Sequence, residues 1–98
     1  MATTALLDLQ LKADSLETAY KVIHETLTAT RAFPGCLGVT VLVDSADPAH
    51  VIIHEIWESI EHDQAYRQWR STPEGASALG SILAAPRKLT ILTVAEGV

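Results

Sequence analysis

The chain is poor in the residues that mark several large classes of protein. It holds one cysteine, Cys36, among 98 residues, so no internal disulfide can form and no second thiol is at hand for a cysteine-built metal site. Cys36 is expected to act as a small buried hydrophobe. Lys and Arg number 7 against 12 Asp and Glu, no basic run occurs, and the formal net charge is −5. A field of that sign repels a phosphate backbone, so no nucleic-acid partner is expected. No stretch approaches the ~20 apolar residues of a membrane span, and the segment from Met1 to Leu7 lacks a basic start followed by a sustained apolar run. A soluble, cytoplasmic protein with no membrane partner is expected. There is no glycine-rich phosphate loop, no histidine and carboxylate paired at helical metal spacing, no internal repeat and no low-complexity tract. Neither a metal nor an organic cofactor is indicated by any motif.

What the chain does have is periodicity. Hydrophobic residues make up 48% and charged ones 19%, a globular balance in a length that accommodates one domain, residues 1–98. Between Ala5 and Lys12 the residues alternate, with Leu7, Leu9 and Leu11 on one face and Leu6, Asp8, Gln10 and Lys12 on the other. That pattern predicts a first strand. Asp14 or Ser15 can cap a helix over Leu16 to Ala32, whose stripe is Leu16, Ala19, Tyr20, Ile23 and Leu27, and Pro34-Gly35 ends it. A second strand carries Leu37, Val39, Val41 and Val43 on one face and Gly38, Thr40 and Leu42 on the other, before Asp44 to His50 interrupts the pattern. The third strand, Val51 to Trp57, sets Val51, Ile53, Glu55 and Trp57 against Ile52, His54 and Ile56. Such a strand, apolar on both sides, requires cover on both. Ser59 suits the start of a second helix near Ile60, which pauses at Ser71 to Pro73 and resumes as a second helical piece from Glu74 to about Ala84. A last strand runs from Lys88 to Val94.

The order β-α-β-β-α-β, with right-handed crossovers, is that of an α+β, ferredoxin-like domain with a four-stranded antiparallel sheet and both helices on one face. The bare face would expose an apolar patch too large for a soluble monomer, so a homodimer of face-to-face sheets is expected. At this point the chain resembles the antibiotic biosynthesis monooxygenase family of dimeric α+β barrel proteins. Phe33-Pro-Gly-Cys-Leu-Gly38 is similar to the family's turn into strand two, Glu55-Ile-Trp-Glu-Ser59 to its strand-three ending, and Ala85-Pro86 to its entry into the last strand. Where the family often places a histidine about nine residues after the tryptophan matching Trp57, this chain has Tyr66. No histidine follows His62, so the resemblance does not extend to haem-degrading members of the fold. The resemblance implies oxygenation by O2 of an electron-rich aromatic, a phenol, anthrone or hydroquinone, without metal or flavin. In such chemistry the substrate supplies the electrons, and the protein needs to deprotonate it, hold the anion and admit oxygen.

Few residues suit those tasks. His54 is the leading candidate base, since an imidazole titrates near ~6.5 and this one lies mid-strand among apolar neighbours; the competing reading is a hydrogen-bonded core or interface residue. His24, His50 and His62 rank lower, on a helix exterior, in a loop and in a first helical turn. Tyr66 and Trp69, three apart on helix two, share a face and are candidates to accept a proton, sandwich a flat ring or donate to an oxyanion, with plain packing as the alternative. Trp57, Asp8, Gln10 and Thr40 are candidate substrate contacts, and Arg70 and Arg87 candidates to neutralise an enolate or carboxylate. Glu55, a charge in an apolar strand, needs a cationic partner. A non-catalytic ligand-binding or stress-associated dimer and a cofactor-free isomerase or decarboxylase remain alternative functions for the same pocket.

Overall fold

The computed structural model describes all 98 residues and contains β1 (Thr3–Gln10), α1 (Leu16–Ala32), β2 (Cys36–Asp44), β3 (Asp47–Trp57), α2 (Ile60–Arg70) and β4 (Lys88–Thr93). The strands form one antiparallel sheet in the order β2-β3-β1-β4. This is the α+β ferredoxin-like arrangement expected from the alternation. In β1, Thr3, Ala5, Leu7 and Leu9 are buried and every residue between them is partly exposed; β3 repeats the pattern with Val51, Ile53, Glu55 and Trp57. The register aligns Leu7 with Ile53 on one side and Leu89 on the other, so one face of the sheet gathers the core. Ala19, Ile23 and Leu27 of α1 pack onto it. Burying each such Leu or Ile side chain contributes about 1.5–3 kcal/mol.

The opposite face carries Leu6, Leu42, Ile52, Ile56 and Leu92, with His54 between Leu6 and Thr40 in the register. Leu42 and Leu92 are exposed. No helix is long and apolar enough to cross a membrane.

The end of α1 and the start of α2 have identifiable causes. Phe33 adopts the extended conformation that a following proline imposes, and Gly35 has φ +88°, where a Cβ would run into the His62 ring. At the start of α2 the Ser59 hydroxyl accepts from His62 N at 3.2 Å, and it also lies 2.7 Å from Nδ1 of the same histidine. At the start of α1 neither expected cap bonds; a short 3-10 turn, Ala13–Ser15, leads into the helix instead.

Two expectations need correction. The stretch from Glu74 to Ala84 is not a second helical piece but a run of turns ending in a short 3-10 segment, Leu79–Ile82. Hydroxyl side chains there bind the backbone in competition with a helix: Thr72 Oγ1 donates to Trp69 O at 2.6 Å, and Ser81 Oγ to Ala78 O at 2.6 Å. Gly75 and Gly80 further weaken helix formation. The end of the stretch is tied to β1 by Ala84 N donating to Gln10 O at 2.7 Å. The second correction concerns Asp44 to His50, which is shorter as a loop than expected: β3 already begins at Asp47, with an irregularity between Val43 and Asp44. Pro48 is tolerated there because a bulge asks no ladder bond of it.

At this end of the bare face, His50 bridges three strands. Its Nε2 lies 2.9 Å from Asp8 Oδ1 and its Nδ1 2.8 Å from Asp44 Oδ2. The bond to Asp44, then that to Asp8, raises the His50 pKa above its ordinary 6.5, and the same imidazole holds Asp44 below its ordinary 3.8. A raised histidine stabilises the fold fully below about pH 6.5 and loses that contribution as pH rises through its folded value. A lowered carboxylate contributes above about pH 3.9 and loses its part as pH falls. The stability difference between wild type and His50→Gln, measured by urea unfolding, is therefore expected to be largest at mildly acidic pH and to shrink toward pH 9. A difference that grows with pH would contradict this.

Candidate functional site

The site is built on Glu55. Its neighbours in β3, His54 and Ile56, turn to the bare face, so by the two-residue period Glu55 points under the helices. It is 1% exposed. A buried carboxylate requires compensation, and α2 supplies it. Asp63, Tyr66, Arg67 and Arg70 recur at three-and-four spacing and so share one side of that helix. Arg67 Nη2 donates to Glu55 Oε1 at 2.6 Å and to Asp63 Oδ1 at 3.0 Å. Trp57 Nε1 donates to the same Glu55 Oε1 at 3.1 Å, and Oε2 of Glu55 takes part in neither bond. Arg67 Nε is buried without a partner.

On the same side of α2, Tyr66 and Arg70 meet α1. The Tyr66 hydroxyl lies 2.6 Å from Thr30 Oγ1 and accepts from Arg70 Nε at 2.8 Å. Arg70 also donates through Nη2 to Thr26 O at 2.8 Å and Thr30 Oγ1 at 3.0 Å, and through Nη1 to Gly75 O at 3.2 Å. All of these acceptors are neutral. The guanidinium lies 5.2 Å from the Tyr66 ring centroid and 4.8 Å from that of Trp69.

These groups form one wall of a partly open cavity of about 310 Å³ between the sheet and the helices. The apolar wall comprises Leu7, Leu27, Ile53, Leu79 and Leu89; the polar one comprises Glu55, Tyr66, Arg67, Arg70 and Arg87. Ligand pockets run from about 300 to 1,000 Å³, so this cavity suits a small molecule. No three His, Cys, Asp or Glu side chains are grouped so as to hold a metal ion.

Among the residues singled out from sequence, Tyr66 and Arg70 line the cavity, as does Arg87. Trp57 and Trp69 are not among its lining residues. They pack with Phe33 and Tyr66, with ring centroids 4.8 Å apart for Trp57 and Tyr66 and 5.4 Å apart for Phe33 and Trp69. Half-buried Cys36 joins this cluster, and burial raises its thiol pKa. His54, Asp8, Gln10 and Thr40 lie on the bare face of the sheet, away from the cavity: Asp8 bonds His50, and Gln10 Nε2 donates to Asp47 at 3.3 Å. Sequence reasoning recognised that Glu55 needed a cation but did not make it a site residue, and it passed over Arg67. The signal was there in the Asp63–Arg67 spacing, four residues apart on the helix that follows Glu55.

The fold and cavity together define a ferredoxin-like α+β protein with a small-molecule-sized chamber between sheet and helices. Residues 4–78 match the family model described as Antibiotic biosynthesis monooxygenase, and the chain belongs to that family. Solved structures agree in fold. A proposed antibiotic biosynthesis monooxygenase from Caulobacter crescentus superposes with a TM-score of 0.81 at 16% identity, covering 97% of this chain and 91% of that one. One from Deinococcus radiodurans gives 0.79 at 21% identity, over 98% and 95%. A mutant of SnoaB, a cofactor-independent oxygenase from Streptomyces nogalater, gives 0.79 at 14% identity, over 97% and 94%. At such identities the likeness speaks to fold alone. No significant match exists among curated protein sequences.

Removing the Glu55 charge tests the electrostatic frame of the site. Glu55→Gln is expected to lower unfolding free energy by about 1–3 kcal/mol, the cost of leaving a buried polar partner unsatisfied, read from the denaturant midpoint. Glu55→Ala should cost more, because it also strands Trp57 Nε1. A Glu55→Gln midpoint equal to wild type would contradict the assignment.

Proposed function

We propose that the protein is a cofactor-independent monooxygenase that oxidises a small electron-rich aromatic, of phenol, hydroquinone or anthrone type, with O2. The observation that carries the reading is the cavity, with its apolar wall facing Tyr66 and Arg70. A flat ring packs against Leu7, Ile53 and Leu79, and its ionisable oxygen faces the Arg70 guanidinium. Loss of the substrate proton leaves an anion that Arg70 stabilises more strongly than the neutral molecule, which is where catalysis gains. Glu55 is the carboxylate on the cavity wall and, through Oε2, the candidate proton acceptor; His54 faces the other side of the sheet. The electron-rich anion then reduces O2. For an anthrone-type methylene, one oxygen atom becomes the new carbonyl and the other leaves as water, with the substrate supplying the electrons.

Arg70→Ala is expected to reduce kcat/KM by about 10²–10³-fold, the usual effect of removing one donor to a developing oxyanion. The measurement is oxygen consumption with a panel of hydroquinones and anthrones. Wild-type rates equal to the uncatalysed background across the panel would overturn the reading.

A second reading, a non-catalytic ligand carrier, draws on the packing of Trp69 into the aromatic cluster rather than the cavity. Binding without oxygen uptake would favour it.

In either reading the protein acts as a homodimer. Leu6, Leu42, Ile52, Ile56 and Leu92 form an apolar patch across the bare face, and a second copy presents the same patch to cover it. Ile52→Asp is expected to shift sedimentation from dimer to monomer at micromolar concentration. A wild-type chain that sediments as a monomer there would remove the dimer.

A further inference from the structure

Three of the protein's four arginines line this same cavity, in a chain whose net charge is −5. Their states differ. Arg67 is neutralised by Glu55 and Asp63. Arg70 makes four hydrogen bonds, all to neutral oxygens, and no carboxylate lies within salt-bridge reach of it. Arg87, in the segment entering β4, is exposed, lines the same cavity, and bonds no group of the chain. Its Nη2 lies beside Gly80, at ordinary van der Waals distance (3.5 Å) from where a Cβ would stand. The twelve acidic residues are therefore arranged so that neither guanidinium is cancelled.

An aromatic with one ionisable oxygen asks for one cation, and Arg70 with Tyr66 meets that need. Arg87 is surplus to it. A guanidinium fork with all five donors free matches a planar carboxylate in bidentate geometry, and a carboxylate is the anionic group an aromatic ring carries most simply. We infer that the substrate is an aromatic acid, whose carboxylate is held by Arg87 while its oxidisable ring oxygen faces Arg70. This rests on the oxygenase reading for the role of Arg70, but the carboxylate preference itself does not depend on any turnover. Specificity then comes from Arg87, because only the carboxylate gains charge-assisted hydrogen bonds from it, which a neutral aromatic of the same shape cannot make.

The experiment compares naphthohydroquinone with the same molecule carrying a carboxylate beside one hydroxyl. Affinity is read anaerobically by tryptophan fluorescence and oxidation aerobically by oxygen uptake. The carboxylated probe is expected to bind at least about ten-fold tighter, the equivalent of one charge-assisted hydrogen bond, with the ratio shrinking as salt is raised. In Arg87→Gln that ratio should fall toward one, and Arg87→Lys should restore part of it. Equal binding of the two probes, or a ratio unchanged in Arg87→Gln, overturns the inference even where both probes are oxidised. A ratio that depends on Arg87 with no oxygen uptake sustains the inference and overturns the oxygenase reading instead.

Discussion

A carboxylate buried beneath a helix has to meet a cation, and the interior position of Glu55 imposes that demand on α2. Leaving such a charge unpaired costs several kcal/mol, a large share of the roughly 5–15 kcal/mol by which domains are stable. Arg67 answers it and is itself steadied by Asp63, one turn back. Once Arg67 faces Glu55, the helical period turns Tyr66 and Arg70 to the same side. There they meet Thr26 and Thr30 of α1. The share of the polar wall that β3 and α2 contribute thus follows from one ion pair.

The same strand that raises the demand divides the protein's two surfaces. β3 lies between β2 and β1, and its alternating residues serve opposite faces. One face carries Glu55 and Ile53 into the cavity; the other carries Ile52, His54 and Ile56 to the bare side that the proposed second copy covers. In the proposed function, adjacent residues therefore belong to different tasks, one chemical and one associative. The His50 bridge at the edge of the bare face joins β1, β2 and β3 there and adds a charge-dependent fastening to that side.

Close superposition at 14–21% identity has a plain physical source. Strand alternation, a helix stripe and two sharp turns can be satisfied by many apolar residues, because a core tolerates exchange when volume and pattern are kept. Cavity walls are not so constrained, so the family's shared fold leaves the reaction to be argued from Tyr66, Arg70, Glu55 and Arg87.

The first helix and the β1 alternation were legible because period is a local property: Leu16–Ala32 falls where the apolar stripe and Pro34-Gly35 place it. The stretch from Glu74 to Ala84 was misread because its alanines favour a helix, whereas Thr72, Ser81 and the link from Ala84 to Gln10 hold it in turns. His54 and Glu55 were both visible as unusual residues in an apolar strand. By itself, the sequence determined the element order, the two-faced character of β3 and the need for a cation near Glu55. Only the tertiary structure decided which face the helices cover, and so that Glu55 rather than His54 meets the cavity. That choice is held by the bonds of Arg67 to Glu55 and of Arg70 to Thr26 and Thr30, between residues distant along the chain and adjacent only once it has folded.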